Sequence, residues 1–367
     1  MPEHKSHHYV PQMYMRLFSK DRSRVGVFVI RRRKFIPNAP IRGQACRDYF
    51  YGTDPRAERA FGLTEGRAAK IFSDAIEHYR LPLPGSEGHE WLIFFLGIQH
   101  SRTLSAAEQH NEGSVKAVKA MLRRQAELEG NEIILDNIDK VRITRTNAVS
   151  EVVRYATIGA NLLADLTFVL ISNESDIPFI ASDAPVVLHN RLYERQHISV
   201  TGYANVGLQL CLPLGPRTAL LGYDAAAYDL QRDTDGIVRV QNVDDIRLIN
   251  DLQWEAAHAV LLVTSNTPEG ELQLRAAHWT SRRPAERVIF REEVVDSSAT
   301  QVRTRQGGGQ APSAISLDLP FIKLRLPPPP PLGKFEVPPF RDGERVRRTN
   351  RAFATMDEEY EWRRGQG

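Results

Sequence analysis

The chain reads as an α+β protein, an N-terminal helical section packed on a mostly antiparallel sheet and followed by a flexible Pro-rich C-terminal tail. Three observations carry that reading. Apolar residues recur three and four apart over most of 55–164, the spacing of one helix face. After Asp165 the pattern changes to short β-compatible runs separated by Asn, Asp, Pro and Gly. Beyond 300, three consecutive glycines precede Pro327–Pro331, a run that can join neither a helix interior nor a central strand. Residues 1–300 are therefore expected to form a single domain, and 301–367 a Gly/Pro-rich linker and charged tail. A length of 367 residues with 42% hydrophobic composition is ample for a buried core.

In chain order, Pro11–Ser19 is predicted helical because Tyr14, Leu17 and Phe18 fall three or four apart. Val25–Ile30 and Lys34–Ile36 predict a hairpin, and Asp48–Gly52 a short extended return. The first long helix should run from about Pro55, tolerated in a first turn, to about Tyr79, where Pro82, Pro84 and Gly85 break the pattern. A second helix begins near Glu87 and extends to about Gln125, and a third covers Asn147–Ala164. Leu166–Ile171, Phe179–Ala181, Val186–His189, Leu208–Leu212 and Thr218–Tyr223 are expected to be strands of one sheet. Asn242 caps a further helix, with Asp244 and Asp245 in its first turn and an apolar face of Leu248, Ile249, Leu252, Ala256, Ala259 and Val260. The pattern degrades beyond Ser265, and Gln301–Ser313 predicts flexible linker. Pro327–Pro331 should be extended polyproline, serving as a stiff spacer or as a segment bound by a protein partner.

Net charge is +3 but unevenly spread: residues 1–50 hold eleven Lys or Arg against Glu3, Asp21 and Asp48. The densest part, Arg31, Arg32, Arg33 and Lys34, suits either a solvated turn or contact with nucleic-acid phosphate. The apolar runs Leu166–Ile171 and Ala256–Val263 fall short of the roughly 20 residues of a membrane span, so no membrane partner is expected. The N-terminus lacks the apolar core of a secretory signal, which predicts a cytosolic protein. Cys46 and Cys211 form no Cys-x-x-Cys pair and are expected to be reduced thiols.

Candidate chemistry concentrates at four places. His7 and His8 stand ahead of an apolar run, and imidazole both exchanges protons near neutral pH and ligates metals. Glu65 shares a helix face with Phe61, Ala68 and Phe72, while Arg102 ends a stripe of Trp91, Phe95 and Ile98 with Gln99 one turn before it. Isolated buried charges are costly, so Glu65 and Arg102 should meet, either as a structural ion pair or in a polar pocket. Asp183 follows an apolar strand and precedes Pro185, a position suited to capping backbone donors in a turn or to facing a site. His7, His8 and Asp183 are the candidate ligands of a divalent metal, with Glu65 completing the constellation. His89, His100 and His110 lack a metal-like i, i+4 partner, and His258 in an apolar helix is expected to be a core histidine. No phosphate-binding glycine loop and no Gly-x-Ser-x-Gly run is present, which disfavours common nucleotide-dependent chemistry and gives no support to a serine hydrolase.

The stretch His8-Tyr9-Val10-Pro11-Gln12 followed by Tyr14, Met15, Leu17 and Phe18, then Phe50-Tyr51-Gly52, Glu65, Gln99 to Thr103 and Ser182-Asp183-Ala184-Pro185-Val186, resembles the bacterial domain of unknown function 4238 family. The resemblance covers about 5–265 and leaves the proline-rich tail outside. It implies a fold unit and a set of positions, not a reaction. His7-His8 before Val10 and Pro11 is also similar to the opening of His-Asn-His nucleases. The pattern then departs, because the next asparagine is Asn38 and the next histidine His78.

Two function classes stay open. The first is a metal-assisted phosphodiester hydrolase acting on nucleic acid, in bacterial defence, with His8 as base or ligand and Arg102 stabilising phosphate charge. The second is a non-enzymatic binding module that recruits a partner through the basic N-terminal region or the proline run.

Overall fold

The computed structural model describes residues 6–52, 55–144, 148–284, 286–297 and 302–365. The chain opens with strand β1 (Ser6–His8) and helix α1 (Gln12–Met15), which tightens into a 3-10 turn, Arg16–Phe18. Strands β2 (Arg24–Val29), β3 (Lys34–Pro40) and β4 (Cys46–Asp48) follow. The helical section comprises α2 (Pro55–His78), α3 (Glu87–Ser101), α4 (Leu104–Glu129), α5 (Glu132–Asn137) and α6 (Ala148–Gly159). Next come β5 (Thr167–Asn173), β6 (Ala181–Ser182), β7 (Val187–His189), β8 (Gln209–Pro213), β9 (Thr218–Tyr223), β10 (Tyr228–Leu230) and β11 (Val238–Val240). Helix α7 (Val243–Ala256), β12 (Val260–Val263) and α8 (Glu269–Arg282) lead to the final elements, β13 (Val288–Ser297), β14 (Val302–Gln310), β15 (Ile322–Leu324) and α9 (Gly343–Gly365). Among the described residues no helix is long and apolar enough to cross a membrane.

The expected single sheet is two. One runs β3-β2-β12-β6 and the other β11-β5-β9-β8-β7, antiparallel throughout except for the parallel β11–β5 pair. Alternation along the strands divides the core. Phe28, Leu261 and Val263 point into one apolar cluster with Trp254, Leu272 and Trp279 of α7 and α8. Val25, Val27 and Leu262 point into another with Phe72 and Ala75 of α2 and Leu92, Phe95 and Leu96 of α3. Val169 and Ile171 against Leu170, and Leu221 against Leu220, repeat that division in the second sheet. Its central strands are therefore buried on both faces, which is why they read as continuous apolar runs.

Several boundaries differ from expectation for identifiable reasons. The second long helix is interrupted at Arg102, because the Thr103 hydroxyl accepts from Ala106 N at 3.1 Å and starts α4 afresh. Ala259 and Val260 do not extend α7: the helix ends at Ala256, and Val260 begins the strand that joins β2 to β6. An unbroken run from Ala256 to Val263 suits the end of a helix and a buried strand equally. Helix α8 occupies a stretch whose pattern promised none.

The expected flexible linker is also corrected. Residues 302–310, with all three glycines, form β14 and pair with β13, and Ile315, Leu317, Leu319 and Ile322 are core residues. A Cβ at Gly308 would lie 3.0 Å from Ile289 O, so a larger residue there would require the paired strand to give by a few tenths of an ångström. The proline run is held by the chain itself, since buried Gln196 donates to Pro330 O at 3.0 Å and accepts from Leu332 N at 2.7 Å. Arg341 then donates to Leu162 O and Tyr203 O at 2.7 Å and to Asn205 O at 2.8 Å, fastening the start of the last helix.

Gly26 sits at the bulge between β2 and β3, where a Cβ would fall 2.7 Å from Thr264 O and 2.8 Å from Val263 O. Both obstacles are backbone of the neighbouring strand. Gly26→Ala is expected to lower unfolding free energy by about 1–3 kcal/mol, the usual cost of overpacking. Urea denaturation monitored by circular dichroism measures it; an unchanged midpoint contradicts the close strand approach.

Candidate functional site

The histidine pair lies on β1, which pairs with β4 through His7 opposite Arg47 and His8 opposite Cys46. His7 is buried, stacked on Tyr51 at 5.5 Å between ring centres, and its Nδ1 accepts the Tyr51 N–H at 3.1 Å. His8 is half-buried, with Nε2 3.2 Å from Arg42 O and 3.4 Å from Gln12 Nε2. Desolvation holds its imidazole below the ordinary range, opposed by the Arg42 carbonyl and then by Glu58 and Glu65. The Tyr51 hydroxyl closes the element by donating to His8 O at 3.1 Å.

Glu65 and Arg102 meet as the helix faces predict, with Arg102 Nη1 donating to Glu65 Oε1 at 2.8 Å. Arg102 is 1% exposed and Glu65 26%. The guanidinium Nε donates to Gln99 Oε1 at 2.9 Å, its carbon stands 5.2 Å from the Phe61 ring centre, and Gln99 Nε2 donates to Tyr9 O at 3.0 Å. The network ties α2, α3 and the N-terminal segment together. Arg102 is thus a buried pin, and the expected role for it on substrate phosphate has no exposed face to act from.

Asp183 is 1% exposed and spends both oxygens on backbone. Oδ1 accepts from His258 N at 2.8 Å, and Oδ2 from Ala259 N at 2.8 Å and Val260 N at 3.3 Å. It caps donors, but across the chain at the junction of α7 and β12 instead of in its own turn. Burial raises its pKa while these N–H groups oppose the rise. Ser182 beside it donates to Gln253 Oε1 at 2.9 Å, and Asn250 one turn earlier accepts Ile180 N at 3.0 Å. Asn250 and Gln253 were passed over in the sequence; the signal was two amides three apart on an otherwise apolar helix face. Among the described residues no group of three His, Cys, Asp or Glu side chains is placed to hold a metal ion, so His7, His8 and Asp183 are not assembled as a ligand set.

Arg31, Arg32, Arg33 and Lys34 form the exposed turn between β2 and β3. His258 is not a core histidine: it is 24% exposed, with Nε2 3.4 Å from Glu108 Oε1. Cys46 and Cys211 are free thiols, and burial pushes the Cys211 thiol up to about 12.

The cavity of interest lies elsewhere, between α4, β7 and the β13–β14 ribbon, with a volume of about 750 Å³. His100, Ser105, His110, Arg283, Arg287 and Phe290 are among its lining residues. Arg283 donates to Ala257 O at 2.8 Å, while Arg287 donates to Ser105 Oγ at 2.8 Å and, longer, to Ala257 O at 3.5 Å. Both guanidiniums therefore converge on one carbonyl. Among the described residues neither has a carboxylate partner within 4 Å. Burial, and then the neighbouring Arg287, lower the Arg283 pKa, with Asp183 opposing. On the opposite wall His110 Nε2 lies 3.2 Å from Glu151 Oε2 of α6. Arg283, Arg287 and Phe290 fall where sequence patterning was weakest, and the available signal was Arg282, Arg283 and Arg287 within six residues with only Glu286 among them.

The chain belongs to the family described as protein of unknown function (DUF4238), whose model matches residues 6–268. Neither a curated protein nor a solved structure matches it.

Replacing Arg102 should separate pin from substrate contact. Arg102→Ala leaves Glu65 and Gln99 without their buried partner and is expected to cost about 3–5 kcal/mol of stability, whereas Glu65→Gln, retaining an acceptor, should cost less than half of that. Thermal and denaturant unfolding of both variants decide it; equal, negligible losses contradict the pin.

His100 Nδ1 lies 2.8 Å from the Tyr203 hydroxyl, and burial lowers its pKa to about 4. A depressed folded-state pKa means that the unfolded chain takes the proton first as pH falls. Stability should be complete above about pH 6.5, the unfolded histidine value, and decline towards pH 4. Denaturant midpoints across that window should fall less steeply for His100→Gln; an unaltered slope removes His100 as the cause.

Proposed function

We propose that this member of the family binds a phosphate-bearing ligand in the cavity between α4 and the β13–β14 ribbon. The observation that carries the reading is the pair Arg283 and Arg287, two cations converging on Ala257 O at a 750 Å³ cavity, neither with a carboxylate within 4 Å among the described residues; Glu255, which also lines the cavity, accepts from Ser313 Oγ and Ala314 N. Two guanidiniums held side by side repel each other, and a di-anionic phosphate relieves that repulsion while accepting forked hydrogen bonds. The volume suits a ligand of nucleotide size, and the neighbouring Phe290 and Val288 offer apolar wall to its uncharged part.

A second reading, hydrolysis of the bound ester, is favoured by His110, whose Nε2 faces Glu151 on the cavity wall. In that reaction His110 takes a proton from water as the water oxygen bonds to phosphorus. The ester oxygen leaves with the electrons of its P–O bond and receives the proton back from the imidazolium. The carboxylate of Glu151, 3.2 Å from Nε2, orients the ring. In this reading the base is His110, which lines the cavity, and His8 takes no part.

Calorimetric titration tests the binding step, with adenosine monophosphate, inorganic phosphate and adenosine as probes. The monophosphate should bind, adenosine should bind far more weakly, and Arg287→Ala should weaken the monophosphate about tenfold to a hundredfold, the worth of a charge-assisted hydrogen bond. Equal binding of adenosine and its monophosphate, or no effect of a folded Arg287→Ala protein, overturns the reading. For the reaction step, His110→Asn should retain binding and lose phosphate release from a phosphodiester.

A further inference from the structure

The basic turn gains neighbours on folding that the local sequence does not announce. Arg33 lies against α8: Gln273 Nε2 donates to Arg33 O at 2.6 Å, and Arg33 Nη2 donates to Thr280 Oγ1 at 3.4 Å. The stretches brought together, 30–36 and 273–283, contain Arg31, Arg32, Arg33, Lys34, Arg275, His278, Arg282 and Arg283, and no aspartate or glutamate. Arg275 is taken by Asp251, and Arg283 turns inward to Ala257 O. The cations left at the surface are Arg31, Arg32, Arg33, Lys34 and Arg282, none with a carboxylate within 4 Å among the described residues. Desolvation, and then Arg282 and Arg275, hold the His278 imidazole on the same helix end below its ordinary range. One carboxylate stands beside the turn: Glu269 Oε1 lies 3.4 Å from the same Gln273 Nε2 that donates to Arg33 O, while Glu271 lies 4.0 Å from Arg247 Nε.

We propose that this surface, formed by the β2–β3 turn and the C-terminal end of α8, docks the sugar-phosphate backbone of a nucleic acid. Five cations without a carboxylate within 4 Å among the described residues, four of them arginines, are arrayed on this turn and on the adjoining last residue of α8, and the turn's backbone is held by α8. Arginine forks match phosphate oxygens, and a fixed array of them loses little freedom on binding. A nucleic acid fits better than an anionic membrane, because Arg31, Arg32, Arg33 and Lys34 run consecutively with no large apolar side chain among them to enter lipid. Contact through phosphates alone predicts weak sequence preference and strong salt dependence.

The test is fluorescence anisotropy of labelled 20-nucleotide DNA and RNA with the full chain at a series of salt concentrations. Binding should fall by about one decade or more from 50 to 200 mM salt, as expected for roughly three to four phosphate contacts. Arg31→Ala with Arg32→Ala should weaken binding at least tenfold at 50 mM salt and reduce the log–log salt slope by about one to two, with the circular dichroism spectrum unchanged. The Arg31→Ala, Arg32→Ala variant, whose substitutions lie outside the cavity lining, should bind adenosine monophosphate in calorimetry as wild type does, so failure here and failure of the cavity reading are separable. Absence of binding at 50 mM salt, an unaltered slope in the double variant, or tighter binding to phosphatidylserine vesicles than to nucleic acid overturns the proposal.

Discussion

The structure depends on the junction between α7 and β12. A helix that ends and turns directly into a buried strand strands several N–H donors away from water, and each needs an acceptor. The Asp183 carboxylate supplies it for His258, Ala259 and Val260 together. With those donors satisfied, Ala259 O is free to accept Ile30 N at 3.0 Å, and Val260 opens the strand that joins β2 and β6 into one sheet. Ala257 O, one residue before the capped donors, receives Arg283 and Arg287. One carboxylate therefore sets the position of a sheet, a basic turn and the floor of the cavity.

The N-terminal segment is held by a comparable device. Arg102 lies between α2 and α3 and is satisfied by Glu65 and Gln99, and Gln99 in turn fixes Tyr9 O. An arginine in that place gives up hydration, which is tolerable only because its donors find fixed acceptors and its face finds Phe61. His7 and His8 inherit their positions from this network through Tyr51. Both histidines help to hold the N-terminal strand in place.

What could be read in the sequence follows from how local each cause is. The β2–β3 hairpin, α2 and the meeting of Glu65 with Arg102 were legible because helical and strand periods state which side chains share a face. The default capping role of Asp183 was legible in kind. Its donors were not, since they lie some 75 residues away and only the fold brings them near. Val260 was misassigned because an apolar run of that length lacks a period to choose between helix and strand. The glycines of β14 resemble a linker by composition, and it is pairing with β13, a long-range event, that makes them a strand. The cavity combines both difficulties, drawing His110 from one helix, Arg287 from a stretch without clear period, and Gly307–Gly309 from the supposed linker.

The family match stops at residue 268, and the two arginines of the cavity floor lie beyond it. The matched part contributes α4, β7 and the carbonyl of Ala257, which form an apolar and hydroxyl-bearing wall with an acceptor at its base. The part beyond the match contributes Arg283, Arg287 and the β13–β14 ribbon, hence both the charge and the opposite wall. This later part is integral to the fold, because Ile315, Leu317 and Leu319 fill the core against α7 and the sheets. The cavity is thus a composite of the two parts, and its two guanidiniums, Arg283 and Arg287, both come from the part beyond the match.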